Sequence, residues 1–335
     1  MFGGLNGIML NDTCIFNIQK WKWYYIKFER NEQQPEPRFG HSSVVYKSSV
    51  YVYGGYRRYN KSFKIRETYG DVYEFSTESL KWDKIRWSGQ ATFRRHHVAE
   101  TIGKYMLIHG GIDHKSWVID DICILNLETK SWSEVRINTL NPGKMSHHKS
   151  WLVIHPIVKE KGFDLFSSYK SNRKLDEPLI KEGGMYIFGG INENGESLND
   201  LWVLKVGREI LFWTKPDTKG RAPPPRFSHS MHYIEFMNWI MIFGGRCSEP
   251  INADAKQYFY NDFWLLKVDT LEWVKIPTKG ELPSPMYAHC SCVNRSEFIT
   301  FGGMNEHHYN DFNYHILELH TGRSKELNEK YEEEK

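Results

Sequence analysis

Histidines occur as adjacent pairs three times in this 335-residue sequence, at His96-His97, His147-His148 and His307-His308, and paired imidazoles invite a metal reading. On a strand, neighbouring side chains point to opposite faces, so no such pair can close on one ion from a single strand. Cys290 and Cys292 do share a face, but Cys14, Cys123 and Cys247 are scattered, and no CxxC spacing occurs. An odd, dispersed set is neither a zinc site nor a disulfide framework, and it fits reduced intracellular thiols. No phosphate loop, GxSxG elbow or Ser/His/Asp arrangement stands out.

The stronger signal is positive charge beside aromatic rings. The segment YRRYNKSFKIRETYG sets Arg57, Arg58, Lys61, Lys64 and Arg66 against Glu67, with Tyr56 and Tyr59 among them, and Arg94 and Arg95 form a second basic group. Guanidinium forks take carboxylates two-pronged and tyrosines anchor interfaces, so the chemistry offered is docking of an acidic peptide. The plainer alternative is a solvated basic loop. A second candidate contact surface is a stretch at about 156–183, where Phe163, Leu165, Phe166 and Tyr169 are more apolar than a linker needs.

The elements that must position these residues follow from a repeat. Diglycines end apolar runs at Gly3-Gly4, Gly54-Gly55, Gly110-Gly111, Gly189-Gly190, Gly244-Gly245 and Gly302-Gly303, with spacings of 51, 56, 79, 55 and 58. Each is followed by an acid, at Asp12, Asp71, Asp121, Asp200, Asp262 and Asp311, and then by Trp23, Trp82, Trp132, Trp213 or Trp273; Ser324 stands in the sixth place. The interval from Asp to Trp is 11 in four copies and 13 in the fourth. Alternation such as DVYEFS marks a strand with unlike faces, and TLEW or TESLKW supplies a tight turn to the next strand. A second hairpin precedes each diglycine: His41, His97 and His289 lie 13 residues before it, His229 lies 15 before, and His148 lies 41 before, which leaves 28 inserted residues. Each copy is therefore predicted to form four antiparallel strands, A to D. Diglycine supplies positive φ where strand B ends, and Trp is a plate between sheets.

Six ordered sets of aromatic-Gly-Gly, Asp and Trp, with PEPRFGHS at 35–42 and PPPRFSHS at 223–230, make this chain resemble the kelch-repeat family, over nearly all of its length. The resemblance implies an all-β, six-bladed kelch β-propeller with four antiparallel strands per blade, the first lacking its strand A because only Met1 and Phe2 precede Gly3. Residues 1–322 are expected to form the propeller, with blades at about 1–30, 38–88, 94–138, 146–216, 225–278 and 285–327, and 323–335 a charged tail. An unfinished first blade would leave an edge open to strand addition. B–C turns and D–A links share a face, which puts the basic loop and Arg94-Arg95 on one rim, opposite the inserted stretch. The iron-binding members resemble a Glu-x3-Asp-x3-His line; Glu67 and Asp71 fit, but Phe75 stands third.

A net charge of +3 is too balanced to argue for nucleic acid, and no run approaches the ~18 apolar residues of a membrane span. With 40% hydrophobic and 15% aromatic residues the chain has ample material for a core. The family resemblance then implies a non-catalytic scaffold without cofactor, binding protein partners through its loop faces. The setting expected is cytoplasmic, within a cytoskeletal or ciliary assembly. The alternatives are a substrate-recognition receptor for acidic motifs, of the ubiquitin-ligase adaptor kind, and a metal-dependent enzyme with an axial pocket.

Overall fold

The computed structural model describes residues 1–60, 62, 65–89, 92–135, 137, 140–153, 183–206, 211–249, 258–278, 282–305 and 314–318. The chain divides into two compact units, Met1–Asp217 with Pro224–Phe227, and Thr218–Pro223 with Ser228–Lys335.

Four antiparallel sheets belong to the first unit. Sheet I is β1 (Phe2–Asn6), β2 (Ile8–Asn17) and β3 (Lys22–Ile26). Sheet II is β4 (Ser42–Tyr46), β5 (Ser49–Tyr53), β8 (Val72–Ser76) and β9 (Lys81–Ile85), with a hairpin of β6 (Tyr56–Asn60) and β7 (Ile65–Thr68) rising from its B–C connection. Sheet III is β11 (Val98–Ile102), β12 (Tyr105–His109), β14 (Ile122–Asn126) and β15 (Ser131–Glu134), with a small ladder of β10 (Arg94–Arg95) against β13 (Ile112–Asp113). Sheet IV is β17 (Lys149–Val153), β18 (Gly184–Phe188), β20 (Leu201–Val206) and β21 (Leu211–Thr214), with β16 (Met145–Ser146) against β19 (Ile191–Asn192).

Two sheets belong to the second unit. Sheet V is β22 (Ser230–Ile234), β23 (Trp239–Phe243), β24 (Phe263–Lys267) and β25 (Glu272–Lys275); sheet VI is β26 (Cys290–Asn294), β27 (Glu297–Phe301) and β28 (Tyr314–Glu318). Five sheets, II to VI, thus carry a meander that starts from an inner strand A. Sheet I holds only the three later strands, and among the described residues sheet VI holds three. This corrects the expectation of six blades, the first lacking its strand A: five blades are present, together with the three-stranded sheet I. Sheet I differs because the run through Gly3-Gly4 pairs with β2, Phe2 opposite Thr13, and the Met1 amino group donates to the Cys14 carbonyl.

Strand patterns follow from what covers them. In β12, Tyr105 and Leu107 pack toward sheet IV, while Met106 and Ile108 pack toward sheet II. In β14, Ile122 and Ile124 take the first side and Leu125 the second. A strand covered on both faces can be apolar throughout, which is why YMLIH and GMYIF run as unbroken buried stretches. In the outer β9 the two buried residues point to opposite faces, Trp82 packing with Val52, Tyr73 and Phe75 and Ile85 with the core shared with sheet III. Each of these core side chains contributes about 1.5–3 kcal/mol by leaving water. The 15-residue interval of sheet V also has a local cause: the β22–β23 turn is a single turn of 3-10 helix, Glu235–Met237, closed by Asn238 at φ 54°.

Neighbouring sheets are stitched at their outer strands. Ser88 donates to the Lys130 carbonyl and accepts from the Trp132 amide, a parallel bridge repeated between Ile137 and Leu211 and, in the second unit, between Lys219 and Glu272. Sheet I uses another device, its Gln33 side chain accepting from the Lys84 amide at 3.1 Å.

Candidate functional site

The repeated residues form one hydrogen-bonded framework. In sheet II the Gly54 amide donates to the Asp71 carbonyl, the Tyr69 amide to the Gly55 carbonyl, and the Arg94 amide to the Tyr69 carbonyl. The Gly55 amide then donates to the Arg94 carbonyl, tying each repeat to the next. The same four bonds recur for Gly110, Gly111, Ile119 and Met145, and again for Gly244, Gly245, Tyr260 and Met286. Gly110 and Gly111 hold φ at +65° and +99°; a Cβ on Gly111 would lie 2.7 Å from the Arg95 carbonyl and 2.8 Å from the His97 Cβ. Diglycine is required there by conformation and by space.

Position three before each strand-A histidine is interior in every repeat: Arg38, Arg94, Met145, Arg226 and Met286 are all buried. Two of the arginines, Arg38 and Arg94, reach the aspartate of their own repeat. Arg38 Nη1 donates to Asp71 Oδ1 at 2.6 Å and to the Gly54 carbonyl at 3.0 Å, with the Tyr69 ring 3.9 Å from its Cζ. Arg94 donates to both Asp121 oxygens at 2.9 and 2.7 Å and to the Gly110 carbonyl at 3.0 Å. Burial opposes ionisation of Asp121, but the Arg94 guanidinium outweighs it and holds the carboxyl below its ordinary value. Burial pushes His41 and His109 down to about 3 and His97 well below 6.5, so these imidazoles are neutral at physiological pH.

The basic rim is smaller than the sequence suggests. Arg94 is 0% exposed and ion-paired, and Arg95 is buried with its Nη1 on the Asp113 carbonyl and its Cζ 5.8 Å from the Tyr56 ring. Both therefore serve the interior, a correction that follows from their places two and three residues before His97. Tyr56 is half-buried against Phe39. Arg57 and Arg58 remain at the surface, their side chains 49% and 60% exposed, and both pair with Glu67 Oε2, at 3.3 and 2.9 Å. Tyr59 and Arg66 are cross-strand partners in the hairpin. Lys61, Lys64, Phe163, Phe166 and Tyr169 lie outside the described residues, as do Asp311 and the 323–335 tail. Of the paired histidines, His96 and His147 come from successive repeats and stack at 3.8 Å, between Phe39 and Phe227. Burial, then their charged neighbours, pushes both down, His147 to about 4.

The structure adds residues that the sequence reading passed over. Phe93 and Trp117 are 51% and 66% exposed. Both belong to the face of the D–A links and B–C turns, as do Arg57 and Arg58. Phe93 packs over Gly70 and against His114, ring centroids 6.2 Å apart.

A family model, the KLHDC2/KLHL20/DRC7 Kelch-repeats domain, matches residues 1–158 and 178–333. The chain belongs to the kelch-repeat family. It is an all-β kelch β-propeller, and domains of this family are protein-interaction modules. Kelch domain-containing protein 3 of Mus musculus is 26% identical over 302 residues, which is 87% of this chain and 69% of that protein. Acyl-CoA-binding domain-containing protein 5 of Arabidopsis thaliana is 26% identical over 261 residues, and Host cell factor of Drosophila melanogaster 26% over 321. The chain covers 38% and 20% of the length of those two proteins, so it matches a part of each. The solved structure of YjhT shares the fold, with a TM-score of 0.64 at 12% identity over 90% of this chain and 86% of that one. Among the described residues no helix is long and apolar enough to cross a membrane.

Proposed function

We propose that this kelch domain is a non-catalytic scaffold that holds a protein partner on the face made by its D–A links and B–C turns, as a subunit of a larger cytoplasmic assembly of cytoskeletal or ciliary type. One observation carries the reading. The repeat's His, Gly, Asp and interior Arg are engaged in the framework, while the β6–β7 hairpin presents Arg57 and Arg58 to solvent. Exposed arginines on a hydrogen-bonded hairpin are pre-ordered for carboxylates. A second reading, a receptor for acidic motifs, draws on the same hairpin, where two guanidiniums face one Glu67 carboxylate and leave net positive charge.

The test is site-specific photocrosslinking in cells, with a benzophenone amino acid at position 58 or, as control, at exposed Val45 beside the A–B turn. A discrete protein adduct at position 58 and none at 45 is expected. Equal labelling at both, or none at 58, overturns the proposal.

A further inference from the structure

The repeat provides a ruler for separating side chains that the fold needs from those it does not. The residue just before the interior Arg/Met position is Pro37, Pro225 and Pro285 in three repeats and Lys144 in a fourth; in sheet III it is Phe93. A proline suits this position, because the backbone bonds start one residue later. The B–C turns of sheets III and IV can be compared atom by atom. Asp113 Oδ1 accepts from the Lys115 and Trp117 amides at 2.8 and 2.9 Å, and Asn192 Oδ1 accepts from the Asn194 and Glu196 amides at 3.0 and 2.9 Å. The same turn thus ends on exposed Glu196 in one sheet and on exposed Trp117 in the other. Neither aromatic is demanded by the framework, and both are more than half exposed.

These two rings are linked into one strip. Tyr69 stands beside Arg57, whose Cζ is 5.8 Å from its ring; Gly70 follows, covered by Phe93; Phe93 meets His114; and the short 113–117 turn carries Lys115 Nζ 5.3 Å from the Trp117 ring. Apolar plates therefore alternate with cations along a surface held rigid by the Asp113 turn. Arg57 and Arg58 share the single Glu67 carboxylate, Lys115 lies beside Trp117, and near Tyr69 the Asp71 charge is paired with Arg38.

We propose that the strip Tyr69–Phe93–His114–Trp117, flanked by Arg57, Arg58 and Lys115, docks an extended acidic segment of a partner protein that also carries large apolar side chains. This rests on the loop-face reading above and specifies it. Apolar side chains of the segment lie against Phe93 and Trp117, and its carboxylates meet the cations, whose stems already cover the rings.

The test is a random-peptide display selection on the full chain, followed by fluorescence anisotropy of the most enriched synthetic peptide. Wild type is compared with Trp117→Glu, a residue the sheet IV turn already accommodates, and with Phe93→Ser. The recovered peptides are expected to combine Asp or Glu with Phe, Trp or Leu. Affinity should fall at least tenfold in each variant, and severalfold between 50 and 300 mM salt. An unchanged thermal transition in both variants separates loss of binding from loss of fold. Peptides lacking acids or large apolar residues, variants within twofold of wild type, or an empty selection each overturn the strip. Peptides lost on Tyr56→Ala but kept on Trp117→Glu overturn the strip and leave the loop-face reading standing.

Discussion

Arg94 and Asp121 allow the interior position three before the strand-A histidine to be tested quantitatively. Arg94 is 0% exposed and makes two carboxylate bonds at 2.9 and 2.7 Å, whereas the Asp121 side chain is 44% exposed. Removing each partner therefore has a different cost. In Arg94→Met the shape fits, since Met145 and Met286 occupy this position elsewhere. Asp121 can recover water, and the Gly110 carbonyl loses one donor, so the expected loss is about 2–3 kcal/mol. In Asp121→Asn the guanidinium stays buried with a weaker acceptor, and stranding a buried charge costs about 3–5 kcal/mol. The double variant has no charge left to strand and should resemble Arg94→Met alone. Coupling of about 3–5 kcal/mol is therefore expected in the double-mutant cycle, where additivity would give a loss of about 5–8. Urea unfolding followed by tryptophan fluorescence measures all four proteins, with unchanged slopes confirming that only stability moved. Coupling below about 0.5 kcal/mol would refute the reasoning, because the two side chains would then not act as a buried pair.

Two further outcomes follow from the framework. Gly111→Ala should cost at least about 3 kcal/mol, since its Cβ meets the Arg95 carbonyl and His97, whereas Gly143→Ala, at φ +79° with nothing within 4 Å, should cost about 1–2; thermal melting of both variants checks the difference. Glu100 accepts from Ser150 Oγ at 2.8 Å, and burial raises its carboxyl from 4.5 to about 7 against the opposing effects of Ser150, the Leu152 amide and Lys149. The folded state thus holds this proton more tightly than the unfolded chain, so stability falls as pH rises from about 4.5 to about 7 and is flat above, by about 1–3 kcal/mol in total. Glu100→Gln should abolish that part of the slope in urea titrations run between pH 5 and 8, and an unchanged slope would exclude Glu100 as its source.

The periodic part of this chain was legible because the fold needs it at fixed intervals. Diglycine, Asp and Trp close the same hydrogen bonds and fill the same gaps in repeat after repeat, so their spacing exposes the strands directly. Arg94 and Arg95 were misread for an instructive reason. Composition makes two arginines look like a surface patch, whereas their register relative to His97 places one in an ion pair with Asp121 and the other on the Asp113 carbonyl. Arg38 and Arg226 hold the same register three before His41 and His229, and that alignment alone would have sent Arg94 inward. The blade count failed at Gly3-Gly4, where a diglycine signals a repeat but its strand is the first of three in sheet I.

Phe93 and Trp117 escaped notice because single exposed aromatics carry no weight in a sequence that is 15% aromatic. They gain weight only once the equivalent positions are known, and that requires the turn geometry. The four residues after Asp113 and the four after Asn192 share no type, yet the two side chains cap the equivalent two amides. A repeat protein thus contains its own control experiment. What sheet IV does with Glu196 and Lys144, and three other repeats do with proline, is sufficient for folding, so the excess apolar surface at Phe93 and Trp117 is free to serve recognition. The same comparison assigns the interior arginines to stability, since methionine replaces them at 145 and 286 without loss of the backbone bonds. Binding and folding therefore separate by residue on this face: substitutions at Arg94 should change unfolding first, and substitutions at Trp117 should change partner affinity alone.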